Sequence, residues 1–229
     1  MPTLAIGGVP ITIRNGYLVG EIAGGGGAIT YTGPATSVQA DSATVSVAVD
    51  TGAPSADRIV LLAIGGQSGG SISSVSFGGV TSYVSEGVSG DDDVWIVACA
   101  VPSGTGNQTC TVVFGSTMFY PVVGAYVIRG AQLPPSDGDA VVDTDFPFAP
   151  TIPLVIPEGG AVFSLGSMNL GTSATLSIGA TTLTDTEVSN TVNRTVHFGD
   201  ATDLTAASAN WSQDSSLCFA AAAVVFTPG

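Results

Sequence analysis

The residues Gly66-Gln67-Ser68-Gly69-Gly70 spell G-x-S-x-G behind an apolar, strand-like run, the pattern that places a serine nucleophile on a tight strand-to-helix turn. The motif needs a helix to follow it, and Ser71 to Gly79 alternates instead as a strand, which makes the glycine-rich match a turn. A Ser-His-Asp arrangement would have to use His197, the one histidine, with Asp145, Asp200 or Asp203 as the acid. His197 sits in the alternating run Thr195-Val196-His197-Phe198, where a hydrogen-bonded or solvent-facing strand residue is expected rather than a base. One histidine and no Cys/His cluster argue against zinc, and the absence of lysine removes Schiff-base chemistry and the Walker-A lysine. The expectation is a protein without catalytic residues or cofactor.

Two binding chemistries are legible. Asp91-Asp92-Asp93 is the densest acidic run and offers carboxylates of the kind Ca²⁺ takes from a loop, although an extended chain cannot aim three successive side chains at one point and a solvated hairpin loop is expected. Asp137-Gly138-Asp139 and Asp143-Thr144-Asp145 are weaker versions of the same pattern. Tyr83, Trp95 and Trp211 are aromatic residues that would stack on a sugar ring if exposed, and the competing expectation is that strand tryptophans pack inside. Cys99, Cys110 and Cys218 are odd in number, lie in apolar runs and read as buried free thiols.

The background in which these residues sit narrows function further. The chain has 229 residues, a net charge of −14, four arginines and no lysine, with 10% charged and 45% hydrophobic residues. Phosphate backbones are bound through Lys and Arg, so nucleic acid is excluded as a main partner. No apolar run is long enough to cross a membrane as a helix, and the N-terminal residues lack the basic start of a secretory signal.

Period-two alternation bounded by Gly, Pro, Ser and Asp runs through the chain, and no helical stripe competes with it, so an all-β fold of β-sandwich or jelly-roll type is expected. The clearest strands are 43–49, 58–64, 72–77, 94–101, 109–114, 122–128, 161–165, 174–178, 191–198, 204–211 and 217–226. In the strand around Trp95, Val97 and Cys99 fall on one face and Val94, Ile96 and Ala98 on the other. A strand apolar on both faces belongs between two packed layers.

Residues 1–39 read as an N-terminal arm with a joint at Gly24-Gly25-Gly26-Gly27, because four glycines cost too much backbone entropy inside an element. The alternative is a strand of the body followed by a long turn. In the arm, Leu4, Ile6, Val9, Ile11, Ile13, Tyr17 and Leu18 are the apolar residues available for assembly. The body reads as a first unit over 40–132, a Pro/Asp-rich linker over 133–157 and a second unit over 158–229, repeating at roughly 100 residues. Arg58-Ile-Val-Leu-Leu-Ala-Ile matches Gly160-Ala-Val-Phe-Ser-Leu, Ser74-Val-Ser-Phe-Gly-Gly matches Thr175-Leu-Ser-Ile-Gly-Ala, and Val122-Val-Gly-Ala-Tyr-Val-Ile matches Phe219-Ala-Ala-Ala-Ala-Val-Val. Tandem sandwiches and two interlocked halves of one jelly roll both fit that pattern.

The succession of Asp57-Arg-Ile-Val-Leu-Leu-Ala, Ile72-Ser-Ser-Val-Ser-Phe-Gly-Gly-Val, Asp93-Val-Trp-Ile-Val-Ala-Cys-Ala-Val and Gly124-Ala-Tyr-Val-Ile-Arg-Gly-Ala resembles β-sandwich virion proteins of tailed bacteriophages, over residues 40–229. Tail-tip, tail-fibre and related accessory proteins contain such domains. The resemblance implies a non-enzymatic building block that docks on other virion proteins through its arm, multimerises, is assembled in the host cytoplasm and contacts a host-surface glycan or receptor. A capsid decoration or head-fibre protein, and a carbohydrate-binding module or adhesin, are the alternatives.

Overall fold

The computed structural model describes residues 4–6, 9–14, 17–20, 28–78, 80, 83–89, 92–142, 149–169, 174–189, 194–214 and 218–229. It is all-β, with no helix among the described residues. Strands β1 (Leu4–Ile6), β2 (Val9–Arg14) and β3 (Tyr17–Gly20) form an antiparallel meander of their own. The first half of the body follows as β4 (Thr30–Val38), β5 (Ser42–Asp50), β6 (Ile59–Gln67), β7 (Ile72–Phe77), β8 (Val84–Val88), β9 (Asp93–Ala100) and β10 (Asn107–Arg129). The second half contains β11 (Asp137–Val142), β12 (Thr151–Ile156), β13 (Gly160–Asn169), β14 (Thr175–Ile178), β15 (Thr181–Thr182), β16 (Thr184–Ser189), β17 (Arg194–Leu204), β18 (Ala207–Asp214) and β19 (Cys218–Phe226).

Each half is a sandwich of a large and a small antiparallel sheet. The large sheets run β4-β10-β6-β9-β8 and β11-β19-β13-β17-β16; the small ones run β5-β10-β7 and β12-β18-β14-β15. Strand for strand the two orders correspond, with β19 and β18 standing where the two ends of β10 stand. Even the turn after the short inner strand recurs, as the Phe77 to Val80 bridge in one half and the Ile178 to Thr181 pair in the other, roughly 100 residues later. The strand β10 serves both sheets of its half by bending where Gly115, Ser116 and Thr117 are exposed. Its pairing with β5 and with β6 shifts register on either side of that bend.

The two large sheets pack face to face, giving four layers and three cores. The outer core of the first half gathers Val45, Val47 and Val49 with Leu62, Phe77, Val97, Cys99 and Val112; that of the second gathers Ile152, Leu154, Leu176, Trp211, Ala221 and Val225. Between them lies the seam, where Leu61, Val94, Ile96 and Tyr126 meet Phe163, Leu165, Val196, Phe198 and Val224. Each large side chain so buried contributes about 1.5–3 kcal/mol. Across the seam β6 lies on its counterpart β13, while β8 lies on β11, β9 on β19 and β4 on β16. The strand orders therefore oppose each other about a local two-fold, as in an isologous dimer interface built within one chain.

This architecture corrects several expected boundaries. Residues 30–38, expected in the joint, form β4, because hydrogen bonding to β10 from Thr30 to Val38 makes them the edge of the first large sheet. Residues 137–142 and 151–156, expected in a linker, are β11 and β12, which pair with β19 and β18. Gly24 to Gly27 lie outside the described residues. Cys99 and Cys110 are buried free thiols whose burial pushes their pKa values up to about 11 and about 12. The side chain of Cys218 falls outside the description.

Close approach of the two large sheets rests on glycine. A Cβ on Gly124 would stand 2.7 Å from a Phe198 ring carbon, and one on Gly65 would stand 2.8 Å from Val196 Cγ2. Both contacts cross the seam, so Gly65→Ala and Gly124→Ala are each expected to lower unfolding free energy by about 1–3 kcal/mol, the cost of overpacking. Urea titration of each variant checks this, and wild-type stability in both would contradict the packing described.

Candidate functional site

The turn between β6 and β7 presents Ser68 to solvent with φ 60. Its carbonyl accepts the Ser116 hydroxyl at 2.5 Å, and the Gly69 carbonyl accepts the Ser116 N–H at 3.0 Å, which tie the turn to the bend of β10. The chain then enters β7 and no helix follows, as the alternation of Ser71 to Gly79 requires. His197, fully buried in β17, places Nδ1 at 3.0 and 3.1 Å from the two carboxylate oxygens of Asp185 on β16. Of the acids expected to serve a triad, Asp200 is bonded to Tyr31, Asp203 occupies an exposed position at φ 57, and Asp145 lies outside the described residues. Ser68 and His197 belong to different halves with different partners, and the structure does not assemble them into a triad.

The two described acids of the run are not in a solvated loop. Asp91 lies outside the described residues. Asp92 and Asp93 are both buried and turned apart: Asp92 forms an ion pair with Arg194 across the seam, and Asp93 accepts the Gly70 N–H at 3.0 Å within its own half. The pleat of an extended chain sends successive side chains to opposite faces, and here each face has its own partner. Asp137 accepts the Val155 N–H at 2.6 Å and the Gly138 N–H at 3.0 Å, and Asp139 accepts the Ala140 N–H at 2.8 Å. Asp143 lies outside the description. Among the described residues no cluster of three His, Cys, Asp or Glu side chains could hold a metal ion.

The expected sugar-stacking residues are also placed elsewhere. Trp211 is wholly buried in the outer core of the second half, leaving no ring face for a ligand. Trp95 and Tyr83 are half-buried and pack against the outer core of the first half; a side chain on Gly87, opposite Trp95 in register, would collide with the indole ring. The competing expectation, that strand tryptophans pack against the protein, describes both tryptophans.

Two sets of buried polar groups join the halves. The Tyr31 hydroxyl on β4 donates to Asp200 on β17, and the Tyr126 hydroxyl faces the same carboxylate. The rings of Tyr31 and Tyr126 in the first half stand edge-on to Phe163 in the second, with centroids 5.3 and 5.1 Å away. Burial raises the Asp200 pKa above the ordinary aspartate value, against the lowering effect of the hydrogen bond from Tyr31. At another point of the seam the Arg194 guanidinium holds Asp92 and donates from Nη1 to Ser167 Oγ at 2.6 Å. Arg58, also buried, donates to the carbonyls of Val101 at 2.6 Å, Ala53 at 2.9 Å and Gly104 at 3.1 Å, gathering two loops at one end of β6. Sequence reasoning missed Tyr31, Arg194 and Asp185; the scarcity of arginine was a signal for Arg194 alone.

The residues expected to serve assembly in the arm are only partly brought together. The register of β1, β2 and β3 places Leu4, Ile6, Val9, Ile11, Ile13 and Leu18 on one face of the meander, and puts Tyr17 on the other, opposite Arg14. No protein family, curated protein or solved structure matches this chain.

Two outcomes are expected of the seam. Arg194→Ala leaves a buried carboxylate without its counter-charge and should cost about 3–5 kcal/mol, whereas Asp92→Leu with Arg194→Met removes both charges and should cost far less; a double-mutant cycle by chemical denaturation checks this. A carboxyl whose pKa is raised by folding loses stability as it ionises. The Asp200 penalty is thus absent below about pH 3.9, the unfolded value, and grows as pH rises through the folded value. Thermal melting across that range should show Asp200→Asn, which keeps an oxygen acceptor for Tyr31, gaining on the wild type with pH; a constant difference would contradict it.

Proposed function

We propose that this chain is a non-enzymatic structural component of a tailed-bacteriophage virion, belonging to the tail-tip or fibre apparatus and docking on a neighbouring virion protein through its N-terminal meander. The observation that carries the reading is the wholly aliphatic face formed by Leu4, Ile6, Val9, Ile11, Ile13 and Leu18 on strands of three to six residues. So small a sheet needs a partner for that face to be stable. The same stretch, residues 4–20, contains Arg14 and no acid, while the rest of the chain carries all the negative charge. Acidic bodies repel one another, so a neutral to basic arm is the natural place for copies and partners to meet. Of the polar residues that could have made an active site, His197, Asp200, Asp92 and Asp93 are occupied with internal contacts of the body, which supports a building block over an enzyme. A host-surface receptor or glycan is the partner expected at the far end of such a part.

Immunogold electron microscopy of the source particles, with antibody against residues 40–229, tests the reading. Gold at the distal tail is expected; gold over the head would transfer the chain to the decoration or head-fibre class, and unlabelled intact particles would overturn virion membership. Deletion of residues 1–23 is expected to leave the body folded and to abolish incorporation, and normal incorporation of the truncated chain would sink the docking role of the arm.

A further inference from the structure

The two large sheets part at one end of the seam. There a cavity of about 460 Å³ opens between β8 and β9 of the first half and the approach to β11 in the second. Val84, Ile96, Ala98, Pro134, Pro135 and Val224 supply apolar walls, Ser85 and Ser136 add hydroxyls, and Glu86 and Asp137 supply the charged groups. The volume lies within the roughly 300–1,000 Å³ of small-ligand sites. A Cβ on Gly138 would stand 3.2 Å from Glu86 Cγ, so the bare backbone of β11 gives the glutamate stem its place.

The half-buried carboxylate has no counter-charge. Burial first, then Asp139 and Asp137, raise the Glu86 pKa above the ordinary glutamate value. The Asp137 carboxylate is itself held by backbone N–H groups, and β9 and β19 bring only apolar side chains to the cavity. Among the described residues no hydrogen-bond donor or cation meets Glu86. The chain has no lysine, and three of its four arginines are engaged elsewhere: Arg58 by loop carbonyls, Arg129 by the carbonyls of Thr51 and Ala53, and Arg194 by Asp92. A carboxylate at the mouth of an apolar cavity is complementary to a cation on a methylene stem, which buries the stem and pairs the head.

We propose that this cavity is a binding site for an alkylammonium group, supplied by a free polyamine or by a lysine side chain of a partner protein. The site goes beyond the virion reading and holds whatever particle or surface the chain serves. Ammonium is favoured over a metal ion because the oxygens of Asp137 already accept backbone N–H groups and the Ser136 hydroxyl is engaged by the Val225 carbonyl, while the apolar walls match the hydrocarbon of an amine.

Calorimetric titration of the full chain with methyl-, ethyl-, propyl- and butylammonium near neutral pH tests the proposal. Saturable binding is expected, tightening about two- to fourfold per methylene as each enters the apolar cavity. Glu86→Gln is expected to weaken butylammonium at least about tenfold, a loss typical of removing a charged partner, while the exposed Glu158→Gln, equal in net charge, leaves it unchanged. No saturation, a flat chain-length series, or equal binding by the two variants would overturn the site. The chain-length series is read on the wild-type chain and stands whatever the stability of the variants. Spermidine and Nα-acetyl-lysine methylamide then separate the sources: tighter binding of the first identifies a free polyamine, and tighter binding of the second a partner's side chain.

Discussion

Face-to-face burial of the two large sheets is the constraint from which most of this molecule follows. A sheet covered on one side needs apolar residues at alternate positions; a sheet covered on both sides needs them everywhere. The residues Ile59 to Gly66 are accordingly all buried, and the four alanines at 220–223 face alternately into the seam and into the outer core of the second half. Small residues recur in these strands because two covered faces leave little depth on either side, and the glycines at 65 and 124 mark where the opposite side chains come nearest.

A seam so apolar would discriminate poorly between one alignment of the halves and another, since hydrophobic contact is not directional. Polar contacts that cross it differ in kind: a guanidinium on a carboxylate at Arg194 and Asp92, and a phenol on a carboxylate at Tyr31 and Asp200. Each demands its own geometry, so together they define the register that the aliphatic side chains leave free. The same economy explains why the conspicuous chemistry of the sequence dissolved on inspection. In a chain with so few charges, those buried beside the seam are engaged there.

The central strands were legible because burial on one or both faces writes itself into the sequence. The β9 stretch, apolar in both parities, was recognisable as a middle-layer strand from Val94 to Cys99 alone, and its two sets of side chains enter different cores. What escaped notice were the strands at sheet edges: β4 (TYTGPATSV), β8 (VSEGV), β11 (DGDAVV) and β16 (TDTEVS), with the proline-containing β12. Edge strands are half exposed, tolerate Pro, Gly and acids, and carry little alternation to detect. Their pairing is dictated by the neighbour they complete, which lies up to half the chain away. The candidate site was less legible still, because Tyr31, Arg194 and Asp185 acquire meaning from partners that the sequence does not place beside them. The arm's aliphatic residues were visible from the start, but only strand register could separate Tyr17 from the rest.

The position of β19 has a bearing on biosynthesis. It is the last described strand to leave the ribosome, and it sits inside its sheet between β11 and β13. Until it emerges, the second large sheet lacks an interior member and cannot cover the first. A nascent chain that has already paired β4 through β10 therefore exposes Leu61, Ile96 and Tyr126 to solvent while about a hundred further residues are translated, a delay of some 5–20 s at ordinary elongation rates. During that interval the same surface is open to its equivalent on another nascent chain, and translation speed competes with premature pairing between copies.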